Sequence, residues 1–281
     1  MFLMRVYKEI PELFLSAINT YASRKGNLRI YLLIDEYDNF TNTILSTYGT
    51  EFYRKATHGE GFIRGFFNVI KSATTGTGAA LERLFITGVS PVTMDDVTSG
   101  FNIGTNITND SWFNDLVGFS ENELREMLEY YKEQGVLQES IDEIVAMMKP
   151  NYDNYCFSED TLEQCMFNSD MALYFLKSFV LHHKKPKEIV DPNIRTDFNK
   201  LAYLIKLDHG LGENFSVIKE IAEQGEIITD IVTHFSALEM TDPSNFKSLL
   251  FYFGLLSIKG VDMVGRPILH VPNLVVREQL F

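Results

Sequence analysis

The apolar positions of this chain switch between two periods. Val6, Ile10, Leu13, Phe14, Ala17, Ile18 and Tyr21 recur at the i, i+3, i+4 spacing of an amphipathic helix. Gly26 stands where such a helix would stop. Ile30 to Ile34 are then apolar without polar alternation, which predicts a strand buried on both faces of a parallel sheet. The run ends abruptly in Asp35-Glu36, and Asp38-Asn39 favours a turn. Helical spacing returns between Thr47 and Ala73, at Phe62, Phe66, Val69 and Ile70, with Gly59, Gly61 and Gly65 weakening its first part. A polar loop from Ser72 to Ala80 leads to a second buried strand at Leu84 to Val89. Two such strands with a helical crossover predict a βαβ unit.

From Gly118 the pattern becomes helical. Ser120 followed by Glu123 is a capping box, and Leu124, Met127, Leu128 and Tyr131 form one apolar face before Gly135. Further helices are predicted over 138–148 and 169–182, separated by the Tyr-rich loop 150–157. A linker rich in Lys and Pro follows, from His183 to Pro192. Beyond it, 198–205 and 217–224 read as helices, and Ile227 to Val232 suits either a strand or a helix. Asp242-Pro243 opens a helix that runs to Gly254, with Asp as cap and Pro at its first position. Leu255–Lys259 and Ile268–Val271 predict a hairpin across a turn from Gly260 to Gly265. Helices finished by a hairpin resemble a winged helix.

Length and composition narrow the field. A chain of 281 residues suggests about two domains, and 45% hydrophobic residues supply their cores. The longest apolar run, Ser248 to Leu256, falls short of the roughly 20 residues of a membrane span, and no basic segment with a cleavage site opens the chain. Cys156 and Cys165 are too few for a disulfide framework and match no zinc pattern, even with His182 and His183 nearby. They read as ordinary thiols of a reducing cytoplasm, the expected location. A net charge of −13 argues against a broad nucleic-acid footprint. The local basic group of Lys177, His182, His183, Lys184, Lys185 and Lys187 reads as a solvated linker.

The candidate chemistry lies at Asp35 and Glu36, on the carboxyl end of a predicted strand, where open α/β sheets bind ligands. A hard cation takes oxygen ligands, and a water nucleophile needs a nearby acceptor for its proton. A strand closing in Asp-Glu resembles the Walker B motif of P-loop ATPases. With Tyr31–Phe40, Phe85–Pro91 running into Thr98–Ile103, Gly118–Ser120 with Glu123, Leu249–Ser257 and Val271–Asn273, the chain resembles the AAA-ATPase-like family of bacterial proteins found in Bacteroidales. The resemblance implies an α/β fold. It consists of a partial P-loop NTPase-type parallel sheet with helices over 1–117, a helical lid over 118–185 and a winged-helix-like domain over 186–281. It assigns Asp35 to the Mg²⁺ shell, Glu36 to polarising water, and Thr87 or Ser90 to sensing the γ-phosphate of ATP. A hydroxyl at either position equally serves to cap the strand end, and Asp38, Asp95 and Asp96 read as loop acids.

The chain also departs from that family. A phosphate-cradling Gly-x-x-x-x-Gly-Lys-Ser/Thr loop belongs upstream of Walker B, and the residues before Asp35 contain none. Gly65-Phe-Phe-Asn-Val-Ile-Lys-Ser72 has Ile70 where the second Gly belongs and lies on the wrong side of the acids, so it reads as helix surface. Gly76-Thr-Gly78 has Leu81 where a third Gly would stand. The Glu-x-Lys or Gln-x-Lys pair of the nuclease-like domain often fused in the family is also missing. The expected function is therefore an ATP-related module carrying Walker B without Walker A, inactive alone, with a protein partner or a second copy as its associate. The alternative is a non-enzymatic interaction module that keeps the ATPase shape.

Overall fold

A computed structural model of the chain describes residues 2–26, 28–75, 79–89, 91, 94, 96, 104–191, 213–236, 239–240 and 242–280. It is a mixed α/β chain in two compact units. One comprises Met1–Thr105 with Val232–Met240, the other Asn106–Ile231 with Thr241–Phe281.

The first unit holds α1 (Phe2–Arg24), β1 (Ile30–Ile34), α2 (Asn39–Thr57), α3 (Phe62–Thr74) and β2 (Leu81–Ile86). β1 and β2 are parallel neighbours, with Leu32 opposite Leu84, Leu33 opposite Phe85 and Ile34 opposite Ile86. The predicted βαβ unit is present, but its helical crossover is broken twice, once by a kink inside α2 at Gly49, where φ is 78°, and once between α2 and α3. The second break falls at 58–61. Gly59 takes a left-handed φ of 58°, and a Cβ on Gly61 would lie 2.2 Å from the Ala56 carbonyl oxygen, so only glycine passes there. The turn expected at Asp38-Asn39 forms, the Asn39 amide donating to the Glu36 carbonyl at 3.0 Å, and it leads straight into α2, where Thr41 donates its hydroxyl to the Asp38 carbonyl and Asn42 its side-chain amide to the Asp38 carboxylate.

α3 packs against α1, α2 and β2, presenting Ile63, Phe67, Ile70 and Ala73 to the core. Phe66 meets Phe14 of α1 with ring centroids 5.8 Å apart. The segment Gly65–Ser72 lies inside this helix, and Ile70 is a core residue rather than a surface one. β2 starts three residues earlier than expected and stops before Thr87. β1 departs further from expectation: its burial alternates, leaving Tyr31 65% and Leu33 74% exposed, and Phe85 is exposed on β2. Among the described residues helices cover one face of this sheet only, so the strand is not buried on both faces.

The second unit begins with α4 (Glu121–Glu133), α5 (Ile141–Tyr152) and α6 (Ser169–His182). The capping box forms as expected: the Ser120 amide donates to Glu123 Oε2 at 2.9 Å and the Glu123 amide to Ser120 Oγ at 3.2 Å. α5 runs beyond its expected end to Tyr152, through Pro150. Leu124, Leu128, Ile144, Met148, Phe175 and Phe179 form the heart of a shared core. The Lys- and Pro-rich stretch after α6 is tied to that core, with Val190 buried in it. Tyr152 donates its hydroxyl to the Ile189 carbonyl and Tyr174 to that of Glu188.

The same unit continues with α7 (Glu213–Gln224), β3 (Glu226–Ile228), α8 (Pro243–Tyr252), β4 (Ser257–Val261), β5 (Pro267–His270) and α9 (Leu274–Leu280). Asp242 caps α8 by accepting from the Ser244 amide. The expected hairpin forms between β4 and β5, and the ambiguous segment at Ile227 is a strand that joins it, giving an antiparallel sheet of order β3-β5-β4. The helix expected over 198–205 lies outside the described residues. No helix among the described residues is long and apolar enough to cross a membrane.

Candidate functional site

Chain polarity places the site. Because β1 and β2 are parallel, their carboxyl ends share one edge of the sheet, and Asp35 and Thr87 follow those ends directly. Pairing continues one step past the strands, since the Thr87 amide donates to the Ile34 carbonyl at 2.8 Å and the Tyr37 amide to the Thr87 carbonyl at 3.0 Å. This fixes the backbone at both positions. The Thr87 hydroxyl then reaches across to donate to Asp35 Oδ1 at 2.5 Å, and the Glu36 amide donates to the same oxygen at 2.9 Å. Ser90 and Asp95 lie outside the described residues.

Glu36 follows with a φ of 51°, in the left-handed region that non-glycine residues seldom occupy. Its Oε2 accepts from the Asn39 side-chain amide at 2.8 Å, which orients the carboxylate at the mouth of α2. Both Asp35 and Glu36 face solvent. A backbone outlier at a strand end, with its acid held by a neighbouring amide, is the kind of local strain found at working sites.

Two further residues shape this edge. Asp38 is 1% exposed. It lies in the loop between β1 and α2, as expected, but it is buried, its Oδ1 accepting from the Val89 amide at 3.1 Å and its Oδ2 from Asn42 at 3.0 Å. It thus clamps the segment after β2 to the start of α2. Gly88 lets the Tyr37 ring lie against the backbone, since a Cβ there would come within 2.3 Å of that ring. The polar run Asp38-x-x-Thr41-Asn42 was the available signal for the first. Nothing in the sequence points to the second. Asp96, also expected as a loop acid, is buried and accepts from the Tyr53 hydroxyl at 2.7 Å and from Ser236 at 2.7 Å.

An apolar cleft of about 320 Å³ opens beside the acids, lined by Ile10, Pro11, Ile34, Phe40, Phe62 and Phe66 among others. The donor set at the edge is small. Among the described residues no group of three or more His, Cys, Asp and Glu could hold an ion by itself. The edge offers a cation one solvent-facing carboxylate braced by a hydroxyl, so any hard cation there would keep most of its waters. The triphosphate is less well served, because residues 35–42 and 87–89 contain no Lys or Arg.

The comparisons with known proteins bear on this same stretch. Residues 5–98 match the model of a family described as Predicted AAA-ATPase. No curated protein and no solved structure matches the chain.

Proposed function

We propose, from the match of residues 5–98 to the Predicted AAA-ATPase family, that this stretch is the Walker B and sensor half of a nucleotide-hydrolysing core. The observation that carries the reading is the Thr87 hydroxyl bonded to Asp35 across the carboxyl ends of two parallel strands. In this reading Asp35 is the carboxylate of the Mg²⁺ shell and Thr87 holds its orientation, while also standing where a sensor of the γ-phosphate belongs. Glu36, with Asn39 on its Oε2, accepts the proton of the attacking water. Bound Mg²⁺ would neutralise charge on the phosphates. Helices α4 to α6 serve as the lid. The β3-β5-β4 sheet with α7 and α8 is the winged-helix-like part, a reading supported by its strand order and hairpin.

Phosphoryl transfer leaves a protein mostly positioning and electrostatic work, centred on a phosphate-cradling loop and its Lys. Two acids without such partners repel a triphosphate. The chain alone therefore turns over ATP at a near-zero rate, and Glu36→Gln leaves that rate unchanged. When the chain is joined to an upstream phosphate loop, the same substitution should abolish a measurable rate. Turnover by the isolated chain that is lost on Glu36→Gln would overturn this reading.

A second reading, a non-enzymatic interaction module that retains the ATPase shape, is favoured by Tyr31, Leu33 and Phe85 on the exposed sheet face, where a P-loop core would carry helices. Calorimetric titration separates the two. Micromolar Mg-ATP affinity that weakens on Asp35→Asn supports the first, and no heat of binding supports the second.

A further inference from the structure

The two cysteines occupy facing positions on a short antiparallel rung of the second unit. Tyr155 and Met166 exchange both backbone bonds, at 3.1 and 2.7 Å, and so form a hydrogen-bonded pair. One residue further along each strand stand Cys156 and Cys165. One residue beyond those, Phe157 and Gln164 do not bond directly. The buried Asn114 amide is spliced between them, with Oδ1 accepting from the Phe157 amide at 3.0 Å and Nδ2 donating to the Gln164 carbonyl at 2.9 Å. The cysteine pair is thereby framed by a true rung on one side and a side-chain rung on the other.

That framing sets the spacing. Directly opposed residues of an antiparallel pair point to the same face, and in a non-hydrogen-bonded pair their Cα atoms lie about 4.5 Å apart. The inserted amide opens the far side, so the pair stands wider than that value, in the direction of the roughly 4.4–6.8 Å that a disulfide accepts. Both thiols are free and turn into the same loop: Cys156 Sγ lies 3.1 Å from the Ser158 carbonyl and Cys165 Sγ 3.6 Å from that of Leu162. Cys156 is buried and Cys165 is half-buried, so a reagent arriving from solvent meets Cys165 first.

We propose that Cys156 and Cys165 are a redox modification site that closes to an internal disulfide on reaction with a small-molecule disulfide such as glutathione disulfide. The Cys165 thiolate attacks one glutathione sulfur, releasing one glutathione and leaving a mixed disulfide. Cys156 gives up its proton and attacks the Cys165 sulfur, displacing the second glutathione. Two protein thiols are oxidised to one disulfide, and one glutathione disulfide is reduced to two thiols. The cross-link fixes the 157–164 loop. It also stiffens the junction with β4, where the Cys156 amide donates to Ser257 Oγ at 2.8 Å and the Ile258 amide to the Cys156 carbonyl at 3.3 Å. Burial, with Cys156 alongside, pushes the Cys165 thiol up to about 11. The site is therefore slow near neutrality and speeds about tenfold per pH unit up to pH 10.

The test uses the full chain, reduced, freed of reductant and titrated with glutathione disulfide. Intact mass should fall by two hydrogens, and a digest should yield the Cys156 and Cys165 peptides joined. Cys156→Ser should stop at a glutathione adduct on Cys165, and Cys165→Ser should not react. The initial rate should follow the stated pH slope. A stable adduct on Cys165 of the unaltered chain, a disulfide between two chains in place of the internal one, or two free thiols at equilibrium with excess glutathione disulfide would each overturn the proposal.

Discussion

At the residue scale the site depends on contacts between side chains far apart in sequence. Thr87 was expected as a hydroxyl at the strand end, and the structure brings it onto Asp35. Gly88 shows how tightly that edge is packed. A methyl group there meets the Tyr37 ring at 2.3 Å and Asp38 Oδ1 at 2.7 Å. Gly88→Ala should force one of them aside and cost about 1–3 kcal/mol, the usual penalty of overpacking. A melting temperature unchanged by the substitution would show that the Tyr37 ring moves freely. The carboxylates at 38 and 96 were the residues least legible in the sequence. An acid in a polar stretch looks solvated until the fold surrounds it with donors.

At the scale of elements, local signals decide the structure where they are self-contained. The Ser120–Glu123 box needs only four residues to form, and both of its bonds are present. Ser120→Ala should destabilise the chain by about 1 kcal/mol, seen as a lower melting temperature and rescued by Asp at the same position. β5 supplies a pH dependence. Burial and then Lys259 hold the His270 imidazole below its usual value of 6.5. As pH falls through about 6.5 the unfolded chain takes up a proton that the folded chain resists, so this contribution to stability is intact above that pH and declines below it. The Glu121 and Glu123 carboxylates, held below the usual range by Lys149 and by the Ser120 amide respectively, lose their contribution only further down, below about 4.5. Melting temperatures should therefore begin to drop between pH 7 and 5.5. His270→Gln should flatten that first drop and leave the second. A native-like drop in the variant would assign it elsewhere.

For the whole molecule, the path of the chain is the feature that periodicity does not record. It passes from one unit to the other after Thr105, after Ile231 and after Met240, so Val232–Met240 belongs with residues that precede it by well over a hundred positions. Within the first unit that segment is held where Ser236 donates to Asp96 Oδ1, with Tyr53 on Oδ2 of the same carboxylate and His58 Nε2 at 3.7 Å. Asp96→Ala takes this acceptor away from both hydroxyls at a cost of roughly 1–3 kcal/mol. Amide exchange across 232–236 should then speed by roughly ten- to a hundredfold, with β1 little affected. Uniform acceleration throughout the first unit would mean that Asp96 supports the whole core rather than this segment.

What the sequence determined by itself was whatever depends on neighbours in the chain: the helices that begin at Ser120 and Asp242 with their caps, the β4–β5 hairpin, and the acids at the end of β1. Caps, turns and apolar periods act over a few residues, and their energies are present before any packing. The tertiary structure alone decided which face of β1 is covered, because an apolar run states that burial is favourable without supplying the layer that provides it. It also decided that the crossover breaks at Gly61, where the Ala56 carbonyl leaves no room for a Cβ. By the same logic it placed Thr87 on Asp35, and Cys156 opposite Cys165 between a backbone rung and one made by Asn114. These are distances between residues remote in the chain, set only when separate elements close on one another.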